Sequence, residues 1–547
     1  MRHNARSNTL TALVLVAALG TLTACSPVEA KSASVAVDPG GDDFGTVLNE
    51  SEAVKGGDLV MGLSSEPDTL DPTQAGTSYS RFVLASMCEK LYDTDEKASI
   101  VPQLATDLPE ISDDGLTYTI PLRSDAVFAD GTPMDAAAVA NSLQRAIDLP
   151  TSKRRSELGP INSIEVVDKS HVALHYTTPF SVLPAVLADR AGMIMSPTAL
   201  KTTGDDGFGT SPVCVGPFKF VSWVPQTAIS LEKDPNYYAA DKVYLDTIEF
   251  RLIIDASVRG ANLQSGDIDV ADTLSTQNID AIAADPNLKV LKSSALGWRG
   301  LVVNVANTSG PGKPTGDIEG DLANNSKVRE ALSYAVDREA LVETAFGGWY
   351  TSACSPIREG SDFATDVTTA CNEYDPDKSK ALLKEAGVAV PFELTILGST
   401  NTDTQRYLQA LQSQLPAAGF SVKLDPREES SLVSQINVGD FSVLFQEWSG
   451  RVDPDGNMRA FLSTGGSQNY SGFSTPELDD ALNKASVTSD LEGRKALYEE
   501  ATSIVQEENP LIVLFRSRNL TGVATGLNGV QVFPDGLPRL AFAAFSE

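Results

Sequence analysis

Histidine is scarce in this sequence. It has three in 547 residues; His3 lies at the extreme N-terminus, which leaves only His171 and His175 in the body of the chain. Their spacing, His171-Val172-Ala173-Leu174-His175, suits one face of a strand, and a packed or solvated pair is the reading it supports better than a metal or catalytic one. The five cysteines are far apart, with no C-x-x-C pair, so thiolate zinc sites are excluded. G-x-S-x-G, H-E-x-x-H and phosphate-cradling G-x-x-x-x-G-K-[ST] motifs are also missing, which removes the common hydrolase, metalloprotease and nucleotide-binding signatures. No fixed-period repeat occurs. Basic charge is in short supply: 42 Lys and Arg against 73 Asp and Glu give a formal net charge of -31, an unsuitable surface for nucleic acid or anionic lipid. No cofactor and no metal are implied.

Long apolar runs are missing too. The stretch Leu10–Leu22 is broken by small residues and threonine and is too short to cross ~30 Å of hydrocarbon. With Arg2, His3 and Arg6 before it, it reads as a signal peptide over residues 1–24. The following Leu22-Thr23-Ala24-Cys25 resembles a bacterial lipobox, which implies that Cys25 becomes a diacylated N-terminus on the outer face of the membrane. Residues 25–55, rich in Ser, Ala, Val, Gly and acids without periodicity, read as a flexible tether. About 490 residues remain, enough for two or three domains.

Four cysteines follow Cys25, an even count in an oxidising compartment, and four allow three pairings. Cys354–Cys371 would close a short polar loop, which leaves Cys88–Cys214. Elements of both periods alternate along the chain. Asp58–Leu63 reads as a strand, 81–91 as a helix, and Tyr118–Leu122 with Ala126–Phe128 as a hairpin. Asp135 is placed to cap a helix carrying Val139, Leu143, Ala146 and Ile147 on one face, with Met134 and Val139 forming a staple. A further helix carries Val328, Ala331, Leu332, Ala335 and Val336, with Ser326 as its expected cap. Another opens at Thr475-Pro476. The apolar run 511–515 reads as a buried strand. The acidic clusters Asp267–Asp272 and Asp453–Asn457 lack the full twelve-residue calcium loop.

Taken in order, several strings resemble the family-5 solute-binding proteins of ABC importers, the class with oligopeptide-, dipeptide- and nickel-binding members. The strings are Glu66–Pro72, Ile100–Ala105, Asp113–Arg123, Val127–Met134, Val215–Phe218, Ser265–Val270, Val328–Asp337, and Asp375-Pro376 leading into Leu382–Gly387. The resemblance spans residues 56–547. It implies an α/β, two-lobed clamshell with an extra subdomain on the first lobe. The expected boundaries are 56–296 for the first lobe, 297–505 for the second, and 506–547 for the return, with hinge crossings near Ala295 and Asn509. It also implies a monomer, not an enzyme, that captures a peptide or peptide-like solute between its lobes and passes it to the permease subunits. The alternatives are a non-peptide anionic solute, such as an opine or sugar-phosphate conjugate, or, from another class, a secreted hydrolase.

Peptide-binding members carry a Trp followed three residues later by an Asp that pairs with the peptide's α-ammonium, then an acidic-Pro pair. Here the text is Glu447-Trp448-Ser449-Gly450-Arg451-Val452-Asp453-Pro454-Asp455, so Arg451 stands where that Asp would be and the segment is one residue shorter. A guanidinium there disfavours an ammonium and suits a carboxylate or phosphate. The competing reading is that Arg451 pairs internally with Asp453, Asp455 or Glu447. Trp448, Arg451 and Asp453 are thus expected in the cleft, with Asp455 as a further candidate. Glu66 is expected there as a receptor for an ammonium, and Trp298, Arg299 and Asn304 as the wall at the start of the second lobe.

Overall fold

The computed structural model describes residues 40–276 and 279–546. The leader, Cys25 and the first part of the expected tether lie outside these residues.

Three sheets organise the chain. A seven-stranded sheet runs in the order Leu288–Ser294, Arg518–Ala524, Val270–Ala271, Asp58–Leu63, Thr247–Leu252, Ala228–Lys233, Phe218–Val224. A six-stranded sheet runs Thr351–Ser352, Leu511–Arg516, Trp298–Val303, Val443–Trp448, Phe392–Ser399, Phe420–Arg427. These are the centres of two lobes. The third sheet has four strands, in the order Glu110–Ile111, Thr117–Pro121, His171–Tyr176, Ile161–Val166, and packs with the helix Ala136–Asp148 as the extra subdomain of the first lobe.

Local chemistry accounts for the elements that position the site. Asp135 accepts from the amides of Ala137 and Ala138 at 3.1 Å each, and Val139, Leu143 and Ala146 are buried beneath that helix. Thr475 caps Pro476–Val487, whose Leu478, Ala481 and Leu482 are buried. The strand Leu511–Arg516 is buried at every position. Leu511 and Val513 enter one core of the second lobe, and Ile512 and Leu514 the other. Alternation on a sheet covered by helices on both faces is what makes the run continuously apolar.

Four expectations are corrected. Thr117–Pro121 pairs not with 126–128 but with His171–Tyr176, in the register Tyr118 to Leu174 and Ile120 to Val172, which buries matching apolar side chains. Phe128 instead closes on its own turn, its amide donating to Thr132 O at 2.8 Å. The helix expected over 81–91 is Ser78–Leu84, begun by the Thr77 cap. The helix at 328–336 is Ser326–Tyr334, capped by Asn325 rather than Ser326. Residues 42–54, read as tether, are bound to the first lobe: Asp43 and Lys292 exchange backbone hydrogen bonds of 2.7 Å, and Val54 N donates to Phe545 O at 2.8 Å.

The disulfides join Cys88 to Cys214, Cα atoms 4.9 Å apart, and Cys354 to Cys371.

The chain passes from the first sheet to the second between Ser294 and Trp298. Its return is later than Asn509. That residue, at φ 49°, ends the helix Leu491–Glu508, and Leu511–Arg516 still pairs with Trp298–Val303. Only after Ser517 does Arg518–Ala524 join the first sheet. The two crossings lie side by side: Ala295 N donates to Ser517 O at 3.0 Å, and the buried Arg516 guanidinium donates to Leu296 O and Gly297 O at 3.2 and 2.5 Å and to Ser355 O at 2.6 Å. At Gly297 a side chain would overlap the Trp448 carbonyl oxygen, so backbone meets backbone there. Gly297→Ala is therefore expected to destabilise the protein by about 1–3 kcal/mol in thermal or urea denaturation, as overpacking does. Gly526→Ala, where the added methyl meets nothing within 4 Å, should leave the midpoint unchanged; equal midpoints for both variants would contradict the crossing geometry.

Candidate functional site: the cleft between the lobes

The strand Val443–Trp448 ends at the hinge, opposite Trp298, and delivers the chain into the loop 449–454. Gly450, at φ 91°, packs against the backbone of Leu296 and Gly297, fixing the loop to the crossing. Asn457, buried, ties the turn together. Its Oδ1 accepts from Trp448 Nε1 at 2.9 Å and from Arg451 N at 2.7 Å, while its Nδ2 donates to Arg451 O at 2.8 Å. Asp453 accepts from both terminal nitrogens of Arg494 at 2.8 Å, in a pair whose side chains are only 10% and 7% exposed, and Tyr498 Oη adds a contact at 3.3 Å. A bidentate buried pair of this kind anchors a loop because removing either partner strands the other's charge.

Arg451 is positioned by this frame and bonded by little of it. Its guanidinium lies 4.7 Å over the Trp448 ring, and Nη1 donates to Gly450 O at 2.7 Å. Among the described residues it forms no ion pair. The three acids that could have taken it are engaged elsewhere: Asp453 with Arg494, Asp455 with Arg459 at 2.7 Å, and Glu447 with Arg299 at 3.2 Å. Burial makes the Arg451 charge less favourable and lowers its pKa, while Asp189 and then Glu157 act in the opposite direction from the other lobe.

Those two acids belong to the facing wall. A cavity of about 470 Å³ is lined from the first lobe by Arg81, Glu157, Phe180 and Asp189 and from the second by Arg451 and Asp455, among others. Its size is that of small-molecule sites. Both oxygens of Glu157 accept from Arg154, at 2.9 and 2.8 Å; burial, partly offset by Arg154, raises its pKa. Asp189 accepts from Arg81 Nε at 3.0 Å through Oδ1. Burial opposes its ionisation, but Arg81, Arg190 and Arg451 prevail and hold its carboxyl well below the usual range. The lobes touch around this space: Ser181 Oγ donates to Ser486 O at 2.7 Å and Arg358 to Lys97 O at 2.6 Å.

The sequence-derived candidates separate. Trp448, Arg451 and Asp453 sit together at the hinge end of the second lobe. Trp298 is fully buried, edge-on to Phe461 at 5.0 Å, with Nε1 donating to Asn457 O. Asn304, at the opposite end of the same strand, donates to Asn307 O, Gly439 O and Phe441 O and borders a separate open groove. Glu66 accepts from Trp223 Nε1 at 3.0 Å and Gln226 N at 2.8 Å, which pins a first-lobe hairpin. His171 pairs with Asp168 and His175 with Glu165, each at 3.0 Å. In the acidic cluster 267–272, Asp269 accepts from Val60 N and Asp272 pairs with Arg259. Arg81, Glu157, Phe180 and Asp189 are not among the sequence-derived candidates. For Asp189 the signal was there: with Arg190 it is a charged pair inside the otherwise apolar stretch 182–195.

Residues 99–469, more than half of the chain, match the model of the bacterial extracellular solute-binding proteins, family 5. The chain belongs to this family. Its members are the extracytoplasmic solute-binding subunits of ABC importers. The glutathione-binding protein GsiB of Pectobacterium atrosepticum is 31% identical over 502 residues, covering 90% of this chain and 94% of that protein. GsiB of Escherichia coli K12 is 30% identical, with 90% and 95% covered. Among solved structures, AgaA of A. tumefaciens R10 in complex with agropinic acid is 29% identical, with TM-score 0.71 and coverage of 90% and 99%. CtaP of Listeria monocytogenes shares the fold at TM-score 0.80 and 22% identity, with 90% and 100% covered. No helix among the described residues is long and apolar enough to cross a membrane.

Within the family-5 frame, Asp453 and Arg451 have opposite roles, which stability measurements separate. Asp453→Ala strands the Arg494 charge and should cost about 3–5 kcal/mol in urea denaturation. Arg451→Ala removes a cation without an ion-pair partner and should change stability by less than about 1 kcal/mol. A loss for Arg451→Ala as large as that for Asp453→Ala would show that Arg451 holds the loop.

Proposed function

We propose that this protein captures a short peptide or peptide-like solute bearing an acidic group, seats that group on Arg451, and hands the unmodified solute to an ABC permease. It does so from the outer face of the membrane, anchored through a diacylated Cys25. The observation that carries the reading is the Arg451 guanidinium: it lines the cavity between the lobes, and no carboxylate among the described residues is in ion-pair range of it. Leaving such a charge in a low-dielectric space is unfavourable, and a carboxylate or phosphate arriving between the lobes compensates it. A free α-ammonium at the same place would meet like charge. Glutathione, named for GsiB, and agropinic acid, named for AgaA, support this class of ligand, since both are acids. Ligand bound to both lobes favours the closed arrangement by its differential affinity for it.

Calorimetric titration with glutathione and with agropinic acid tests the reading. A charge-assisted contact of roughly 1.5–3 kcal/mol predicts that Arg451→Ala weakens binding of whichever acid is accepted by about ten- to a hundredfold. Arg451→Lys should restore it only in part, because a point charge replaces a fork of donors. Affinity unchanged in both variants would mean that Arg451 does not meet the ligand.

A further inference from the structure

On the lobe opposite Arg451 the cavity also has a carboxylate with one open oxygen: Asp189, whose charge is paired through Oδ1 with Arg81 at 3.0 Å and Arg190 at 3.7 Å. Of the acids that line the cavity, Asp453 gives both oxygens to Arg494, Glu157 both to Arg154, and Asp535 both to Arg539, at 2.9 and 3.0 Å. Asp189 and Asp455 are different. Each accepts a hydrogen bond through Oδ1, from Arg81 and Arg459 respectively, and neither Oδ2 has a hydrogen-bond partner among the described residues. The two are not equivalent as receptors for a cation. Asp455 shares its loop with Arg451, and its burial favours the neutral acid. Asp189 stands on the other wall, its side chain 22% exposed, and is the acid that most favours the charged form of Arg451.

We infer that the cleft is bipolar across its two lobes and takes a zwitterionic solute, whose acidic group rests on Arg451 of the second lobe and whose ammonium rests on Asp189 Oδ2 of the first. This rests on the acidic-group reading above and adds the other end of the ligand to it. The polarity follows from the two open groups: an ammonium placed beside Arg451 meets like charge, and an acid placed beside Asp189 does too. A ligand so oriented interposes itself between charges that already attract, and it completes one hydrogen-bonding group on each lobe. It is therefore bound best when the lobes are together. An acid without an ammonium would fill only half of the arrangement.

Titration of the full chain with glutathione, trialanine and the N-acetyl form of each tests this in wild type, D189N, D455N and R451A. At least one free-amine probe should bind wild type, and its acetylated form should bind about tenfold or more weakly, the size of a lost charge-assisted hydrogen bond. D189N should abolish that difference, binding free and acetylated forms within about threefold, while D455N should keep it. Asparagine retains an oxygen for Arg81, and a thermal melt checks that D189N is folded; where it is not, the wild-type comparison of free and acetylated probes still decides. Acetylated probes binding wild type as tightly as free ones, a difference abolished by D455N rather than D189N, or no binding by either free-amine probe would overturn the inference. R451A separates the two readings. If R451A binds as wild type does, the acidic-group reading fails, whatever D189N shows. If R451A weakens binding while acetylation makes no difference, only the assignment of Asp189 fails.

Discussion

The buried pair of Asp453 and Arg494 is the interaction on which the cleft depends. It joins the loop after Trp448 to the long helix Leu491–Glu508, so a segment at the hinge is held by the body of the second lobe. With Asp453 committed to Arg494, Asp455 to Arg459 and Glu447 to Arg299, the acids nearest in sequence to Arg451 are all engaged. Asn457 then fixes the Arg451 backbone while leaving most of its guanidinium unsatisfied. A structural ion pair two residues away thus takes up an acid that could have paired with Arg451.

Electrostatics in the cleft connects this local arrangement to the motion expected of the fold. Arg451 and the pair Asp189 and Glu157 face one another from different lobes across a partly buried space, where charges interact more strongly than at the surface. Closure without ligand brings together groups that attract but lack a full set of hydrogen bonds. On the proposed reading, a solute of matching charge would supply them, which is the differential affinity that a population shift requires. The crossings at 295–297 and at Ser517, joined through Arg516 and Gly297, place the pivot directly beneath the loop that carries Arg451.

The two-lobed fold was legible in the sequence because its signals are contiguous: strings in a fixed order, capped helices such as that after Asp135, and the apolar run 511–515. The errors came where partners are distant in sequence. Thr117–Pro121 reads as half of a hairpin until His171–Tyr176 is found beside it. The helix end at Asn509 reads as the return to the first lobe, although the next strand still fits between Trp298–Val303 and Thr351–Ser352. The site was legible only in part. Arg451 stood out because it departs from a motif, whereas Trp298 and Asn304 had the right residue types for a wall and are used in packing and in a turn. Glu157 has no local signal and Asp189 only that of a charged pair with Arg190 in an apolar stretch, since the importance of both arises from facing a residue more than 250 positions away.

We propose that a solute's acidic group sits on Arg451 between the lobes. A crystal structure of the protein grown with the solute that co-purifies with it tests this most directly. The expected result is an acid oxygen about 2.8 Å from the Arg451 guanidinium, with the ligand touching both lobes. Arg451 paired directly with Asp189 or Glu157, and the solute bound elsewhere, would contradict it.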